Sequence, residues 1–115
     1  MTIHLYGIPN CDTVKKARKW LDERGIAYAF HDYKKEGADA GRLAGWVAQA
    51  GWETVLNRRG TTFRALPDAD KVGLDAAKAM GVMAAHPSCI KRPVVEHPGG
   101  ILVGFDPAAW EKALG

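Results

Sequence analysis

The first thirty residues follow a strand–helix–strand pattern, and this order constrains the fold more than any other feature. A β-type segment at residues 3 to 6 ends at the breaker Gly7. Apolar residues then recur at helical spacing, which predicts a helix over about residues 11 to 24 that stops at Gly25. A second strand follows in IAYAFHDY. The short loops between these three elements indicate a βαβ unit with a parallel strand pair.

The rest of the chain divides into a helical middle and a β-rich end. Residues 34 to 56 and 68 to 87 have helical patterns, and residues 57 to 68 are predicted to be irregular. Two short strands around His97–Gly100 form a predicted hairpin, and a last helix follows from Pro107. The predicted inner stripes of the middle helices are Leu43, Trp46 and Val47, then Leu74, Ala77, Met80 and Met83. We therefore expect a single domain, 1–115, with the order β-α-β, helices, β-β-α and a helical insertion at about 38–86.

Composition excludes several classes of protein. The chain has 115 residues, of which 47% are hydrophobic and 25% charged, values typical of one globular domain and not of a disordered chain or a coiled coil. It lacks an apolar run of about 20 residues and a signal-peptide pattern, so we expect no membrane association and a cytoplasmic location. A net charge of +3 is too small to indicate direct nucleic-acid binding.

Cys11 is placed where a loop becomes a helix, and two interpretations of it are open. The first turn of a helix has unpaired N–H groups and a dipole that favours negative charge, so a cysteine there is favoured as the reactive thiolate. The alternative is a small apolar side chain that faces the core in line with Val14. The residue three positions later is Val14, so there is no CxxC motif, and any thiol chemistry uses one thiol in this loop.

The residues next to Cys11 each have a structural interpretation as well as a functional one. Asn10 is predicted to cap the helix, and a contact with an anionic ligand is the alternative. Thr13 adds a hydroxyl near the thiol. Lys15 lies on a solvated face and is also close enough by helical spacing to favour the thiolate. Asp12 opposes ionisation of the thiol.

Other reactive side chains show weaker patterns. Cys89 is interpreted as a buried packing residue, and a resolving thiol is the alternative. The four histidines show no metal-ligand spacing with either cysteine, so no metal is expected. The four tryptophans are predicted to lie in the core.

Three segments in order, GIPNCDTVKKARKWL, NRRGTTFRAL and HPSCIKRPVV, resemble the arsenate reductase (ArsC)/Spx family, and its small YffB-like branch most of all. The resemblance covers essentially the whole chain. It implies an α/β, thioredoxin-like fold with an added helical region. It also implies that Cys11 is the catalytic thiol, that Arg92 lies across from it, and that Pro93 is a cis-proline beside the active thiol.

The sequence departs from the family pattern at the arginines that bind the oxyanion. Arsenate reductases of this type surround an oxyanion with three arginines. Arg92 matches one of them, but Asn57 takes the place of the second and Gly104 lies near the third. Arg58 or Arg59 is the possible substitute for the second arginine. One matching arginine of three disfavours an oxyanion cage.

The resemblance therefore favours a thiol-dependent reductase with no bound cofactor. Glutathione is the expected co-substrate, and glutathione or a glutaredoxin-like partner the expected reductant. The expected ligand contacts are Asn10, Thr13, Lys15, Asn57, Arg59 and Pro93. Arsenate reductase is the runner-up enzyme. A second alternative is an Spx-like regulator that binds the RNA polymerase α subunit, although the CxxC switch of such regulators is missing.

Overall fold

The fold was analysed in a computed structural model that describes residues 3–37 and 39–115. The chain divides into two compact units: residues 1–36 with 92–115, and residues 37–91. Each unit is built around its own buried side chains. The predicted boundary of the helical insertion at residue 38 lies outside the described residues, and the single-domain arrangement stays a prediction.

The first unit contains a four-stranded sheet in the order β2-β1-β3-β4. Strand β1 (Ile3–Gly7) pairs in parallel with β2 (Tyr28–Asp32) and antiparallel with β3 (Val94–His97). The hairpin partner of β3 is β4 (Gly100–Val103). The predicted βαβ unit and the predicted hairpin are both confirmed.

Two helices belong to the core of this unit, α1 (Asp12–Glu23) and α8 (Pro107–Leu114). One face of α1 is buried because its apolar residues recur at helical spacing. The fully buried Trp110 of α8 packs against the ring of Trp20 at 5.7 Å in an edge-to-face arrangement. The buried cluster consists of Leu5, Val14, Ala17, Trp20, Leu21, Val95 and Trp110.

The second unit is helical, and a short helix, α2 (Tyr33–Glu36), precedes it. Its longer helices are α3 (Ala40–Ala50) and α7 (Ala76–Ala85), which pack on each other. The shorter elements are α4 (Trp52–Val55), α5 (Thr61–Arg64), α6 (Asp68–Lys71) and a 3₁₀ turn at Pro87–Cys89. The predicted helical character of the middle is confirmed.

Several details of the sequence prediction are wrong. Asn10 does not cap α1, because it lies in a turn one residue too early and Cys11 is the N-cap residue. The segment predicted to be irregular contains α5, where the burial of Phe63 stabilises a helical turn. The inner face of α7 is formed by Ala79, Val82 and Met83, whereas the predicted Ala77 is exposed. Three of the four tryptophans are buried, and Trp52 is half-buried.

Candidate functional site around Cys11

The sheet of the first unit brings several predicted site residues to the same end. Strands β1 and β2 are parallel, and β3 runs against β1, so the carboxyl ends of β1 and β2 lie beside the start of β3. Cys11 follows the end of β1, Tyr33 follows the end of β2, and Arg92 precedes the start of β3. The topology therefore gathers a thiol, a phenol and a guanidinium at one end of the sheet.

Cys11 is the N-cap residue of α1. Its backbone is extended (φ −94°, ψ 126°), and its carbonyl accepts a hydrogen bond from the Lys15 N–H at 2.9 Å. An N-cap side chain is normally an oxygen acceptor for the first-turn N–H groups, but the Cys11 side chain makes no such hydrogen bond. The thiol is therefore placed where an anion would be favoured by those N–H groups and by the helix dipole.

The thiol is also partly covered by protein. Cys11 is half-buried, and its side chain packs against the edge of the core cluster. The two interpretations from the sequence are thus compatible, because one side of the residue contacts apolar groups while part of it remains accessible. Partial exposure at a helix N-terminus is typical of reactive rather than structural cysteines.

Arg92 and Pro93 immediately precede β3. The Arg92–Pro93 peptide bond is cis, as the family resemblance implied, and Pro93 is fully buried. The carbonyl of Pro93 accepts a hydrogen bond from the Gly104 N–H at 2.8 Å. This bond joins the segment before β3 to the segment after β4, so the backbone that carries Arg92 is held on one side by the hairpin.

Gly104, Phe105 and Asp106 lie in the segment near which the family pattern has its third arginine, and Gly104 has the most restrictive backbone of the three. Its φ of +79° lies in the left-handed region, where a residue with a side chain is strained. An arginine at this position would therefore require a different local backbone. This geometry agrees with the sequence observation that the arginine cage for an oxyanion is incomplete.

Tyr33 is a member of this end of the sheet that the sequence analysis missed. It is 3% exposed, and burial raises the pKa of its hydroxyl well above the usual value, while the charge of Arg92 acts in the opposite direction. Its ring stacks near that of Tyr6, with centroids 6.4 Å apart, and the Tyr6 hydroxyl donates to Glu96 at 3.0 Å. The sequence signal that could have identified Tyr33 was its position directly after the second strand of the βαβ unit.

The remaining predicted contacts in this unit are exposed. Asn10 lies in the turn before Cys11, and Thr13 and Lys15 lie in the first turns of α1. Their positions are on the solvent side of the loop and helix that carry the thiol. Whether they touch a ligand stays a prediction.

Two predicted contacts, Asn57 and Arg59, lie in the second unit. The Asn57 side chain accepts a hydrogen bond from the Arg59 N–H at 3.2 Å, which orders the turn between them. Together with the neighbouring Arg58 they line a cleft of about 330 Å³. Contact of Asn57 and Arg59 with a ligand stays a prediction.

Cys89 is 1% exposed and lies in the 3₁₀ turn of the second unit. Its burial agrees with the interpretation as a packing residue. In the described part of the chain, neither cysteine belongs to a disulfide. Among residues 3–37 and 39–115, no group of three His, Cys, Asp or Glu side chains is arranged to hold a metal ion.

Comparison with known proteins identifies the family. The model of the ArsC family matches residues 6–113, which is almost the whole chain. The chain belongs to the ArsC family. An uncharacterized protein from Haemophilus influenzae is 42% identical over 112 residues, which cover 97% of this chain and 98% of that protein. ArsC-family membership places the chain among thiol-based oxidoreductases and their relatives.

Solved structures of ArsC relatives have the same fold. The structure of the YFFB protein is 58% identical, with a TM-score of 0.96 over 98% of this chain and 99% of that one. An arsenate reductase (ArsC) related protein from Brucella melitensis is 54% identical, with a TM-score of 0.77 over 97% and 93% of the two chains. The thioredoxin-like α/β fold predicted from the sequence is confirmed.

A regulatory branch of the family is also similar to this chain. The global transcriptional regulator Spx of Streptococcus mutans is 23% identical over 106 residues, which cover 90% of this chain and 77% of the regulator.

Among the described residues of this chain, no helix is long and apolar enough to cross a membrane.

Proposed function

We propose that this chain is a glutathione-linked thiol reductase of the cytoplasm that uses Cys11 as its single nucleophile. The observation that carries the proposal is the position of Cys11 at the uncapped N-terminus of α1, half-buried and in the loop that follows β1 at the end of the sheet where β3 begins. Membership of a thiol reductase family supports the same chemistry. The cytoplasm is the proposed location, and the two thiols would normally be kept reduced there.

The reaction is a thiol–disulfide exchange. The Cys11 thiolate attacks the glutathione sulfur of a mixed disulfide between glutathione and a substrate thiol, a new S–S bond forms, and the old S–S bond breaks with release of the substrate thiolate. A glutathione thiolate, or the thiolate of a glutaredoxin-like partner, then attacks the glutathione sulfur of the Cys11–glutathione disulfide, which releases the Cys11 thiolate and forms oxidised glutathione or a partner–glutathione disulfide. Electrons enter with the second thiol, and no bound cofactor is required.

Arg92 and Pro93 have supporting roles in this proposal. The guanidinium of Arg92 stabilises the Cys11 thiolate or binds a carboxylate of glutathione, since a planar cation is suited to both. Pro93 shapes the backbone edge along which the substrate lies. Asn10, Thr13 and Lys15 contribute polar contacts around the disulfide.

Intact-mass spectrometry after incubation with oxidised glutathione tests the proposal. We expect one glutathione adduct on the wild type, mapped by peptide digestion to Cys11. Cys11→Ser is expected to form none, and Cys89→Ala, which removes the buried thiol, is the matched control and is expected to keep the adduct. An unreactive Cys11, or an adduct on Cys89 instead, would contradict the proposed function.

Arsenate reduction is a less favoured function for the same thiol. The name of the Brucella melitensis relative points to it, but only Arg92 of the three expected arginines is present, and Gly104 has a backbone that disfavours a side chain. Arsenate-dependent oxidation of a thiol donor, measured with the wild type, distinguishes arsenate reduction from the reduction of disulfides. Turnover that depends on arsenate and on Cys11 would favour arsenate reductase.

An Spx-like binding role is the alternative outside enzymes. The similarity to Spx supports it, whereas Val14 in place of a second cysteine removes the redox switch. A pull-down with the RNA polymerase α subunit at physiological salt tests this role. Retention of the chain would favour regulation over reduction.

A further inference from the structure

The sheet of the first unit has an unpaired edge at β2. This strand pairs with β1 on one side, and no strand in the described part of the chain pairs with its other side. An edge strand carries a row of N–H and C=O groups that can pair with another extended segment. The sequence of β2, YAFHD, has neither the lysine nor the proline by which many edge strands avoid such pairing. The edge of β2 is therefore suited to accept a further strand.

An open groove of about 360 Å³ lies between this edge strand and the flank of α1. Its lining residues are Arg18, Asp22, Ile26, Ala27, Tyr28 and Phe30. The side chains of Ile26, Tyr28 and Phe30 pack against the buried core cluster on one side and are half-buried. The groove thus has an apolar floor beside the backbone of β2, and an apolar side chain of an added strand would be covered there.

The guanidinium of Arg18 is held in a fixed orientation at the rim of the groove. Its Nε donates to the Tyr28 hydroxyl at 3.1 Å, and its Cζ lies 4.3 Å from the centroid of the Phe30 ring. Neither contact uses the two terminal nitrogens of the guanidinium. Those nitrogens are donors that can bind both oxygens of a carboxylate.

The charge of Arg18 is not paired with a carboxylate. Among the residues that the structure describes, Arg18 forms no ion pair. Asp22 lies one helical turn away, at a spacing that permits an ion pair on a helix, but the guanidinium contacts the aromatic side chains of β2 instead. The exposed Lys15 and Lys19 are on the adjacent part of the helix surface and add positive charge. A half-buried, oriented guanidinium in this setting is complementary to an acidic side chain.

We propose that the edge of β2 and this groove bind an extended segment of a partner protein that has an apolar and an acidic residue two positions apart. Residues two apart in a strand lie on the same face, about 7 Å from each other. The apolar side chain enters the groove, and the carboxylate binds Arg18. Pairing of the backbone with β2 supplies affinity, and the two side chains supply specificity. None of these residues takes part in the proposed thiol exchange, so this binding surface is independent of Cys11.

Amide NMR spectra of the full chain, titrated with synthetic peptides, test the surface. The probe is a short peptide with blocked ends in which threonine alternates with valine and glutamate, so that one face carries the apolar and acidic side chains. We expect saturable shift changes in the amides of β2. A matched peptide with glutamine in place of glutamate is expected to bind about tenfold more weakly, because the charge-assisted contact is lost. A third peptide, N-methylated along one edge, cannot pair with a strand on that edge and is expected to bind far more weakly.

Arg18→Gln is expected to raise the Kd of the glutamate peptide by about tenfold and to leave the Kd of the glutamine peptide nearly unchanged. The second measurement shows that the edge of β2 is intact in the variant. Tyr28→Phe removes the hydroxyl that orients Arg18 and is expected to raise the Kd of the glutamate peptide by roughly two- to fivefold. Lys16→Gln, which removes an exposed cation from another side of α1, is the control and is expected to have no effect.

Other results would overturn the proposal. Equal binding of the glutamate and glutamine peptides would exclude Arg18 as the contact, and equal losses in Arg18→Gln and Lys16→Gln would mean a general attraction of charge. Unchanged binding of the N-methylated peptide, or an absence of shift changes in β2, would exclude strand addition. Shift changes in the same amides that depend on protein concentration alone would show that a second copy of the chain occupies the edge instead.

Discussion

At the residue scale, single side chains of the site depend on the backbone that surrounds them. Cys11 occupies the N-cap position of α1, where serine or aspartate would normally accept a hydrogen bond. A cysteine at that position gives up the cap hydrogen bond but lies at a helix N-terminus, whose dipole favours an anion. The position of Arg92 also depends on the backbone. It directly precedes β3, and the pairing of β3 with β1 fixes where that strand begins.

Arg92→Gln is expected to slow the reaction of Cys11 with oxidised glutathione by about tenfold, because a cation that stabilises the thiolate or binds the carboxylate is lost. Arg92→Lys is expected to recover part of the rate, since the charge returns without the planar fork. The second-order rate constant of adduct formation is the measurement. Lys19→Gln, an exposed lysine of α1, is the control, and an equal effect there would contradict a specific role for Arg92.

Trp110→Phe is expected to lower the free energy of unfolding by about 2 kcal/mol. Trp110 is fully buried, and its indole N–H donates to the Gly104 carbonyl at 3.0 Å, so the substitution leaves a buried acceptor without its donor. Urea denaturation measures the change. The half-buried Trp52 provides the control Trp52→Phe, for which a smaller loss is expected, and equal losses would contradict the explanation.

At the scale of elements, most of the longer helices are capped by aspartate while α1 is not. Asp39, Asp75 and Asp106 each accept a hydrogen bond from a backbone N–H in the first turn of α3, α7 and α8, at 2.8, 2.8 and 3.1 Å. The contrast indicates that the start of α1 serves a purpose other than maximal stability.

Asp75→Ala is expected to lower the free energy of unfolding by about 1 kcal/mol, because the Lys78 N–H loses its side-chain acceptor at the start of α7. Thermal or urea unfolding followed by circular dichroism measures the loss. The control is Asp68→Ala, which removes only a surface ion pair of 3.7 Å with Lys71. A loss in Asp68→Ala as large as that in Asp75→Ala would argue against the capping explanation.

The connection between β2 and α2 is expected to depend on pH. The hydrogen bond from His31, 3.1 Å from the Glu36 carboxylate, lowers the pKa of Glu36, and a bond from the Asp32 N–H adds to this effect. The ionised Glu36 therefore stabilises the folded chain above its unfolded pKa of about 4.3, and this contribution is lost as the pH falls below that value.

Glu36→Gln tests the sign of this pH effect. We expect stability near neutral pH to fall, and the difference from the wild type to shrink as the pH is lowered through about 4. Urea midpoints over a pH series are the measurement, with Glu23→Gln on the exposed side of α1 as the control. A difference that grows toward acid pH would be the opposite of what the geometry predicts.

At the scale of the whole molecule, each of the two units has its own buried side chains, and the chain as a whole has a net charge of +3. A positive protein attracts an anionic substrate over distances comparable to the Debye length, about 8 Å at physiological salt. If the proposed function is right, we expect the overall charge to raise the rate of encounter with glutathione disulfide.

The rate of adduct formation is expected to fall by roughly two- to fivefold as sodium chloride is raised from low millimolar to about 0.5 M, because salt screens the attraction. An uncharged disulfide, 2-hydroxyethyl disulfide, is the control and should react at a rate nearly independent of salt. A salt effect of equal size with both disulfides would show that screening of the substrate charge is not the cause.

The sequence by itself was enough to predict the order of elements and the identity of the family. The βαβ opening, the hairpin and the last helix follow from local periodicity and from breakers such as Gly25, which has a φ of +66°. Cys11 could be singled out because its place at a helix start is visible in a short window of sequence. The roles proposed for it and for Arg92 stay predictions.

Only the tertiary structure decided which faces are buried and which distant residues meet. The inner face of α7 and the helical turn at Phe63 depend on what each segment packs against, and local propensity does not contain that information. Likewise, Tyr33 is near Arg92 because β2 and β3 flank β1, and Lys91 joins Arg59 because a bridge pairs Leu56 with Ile90. Such contacts arise between residues far apart in sequence, and burial and strand pairing across the chain bring them together.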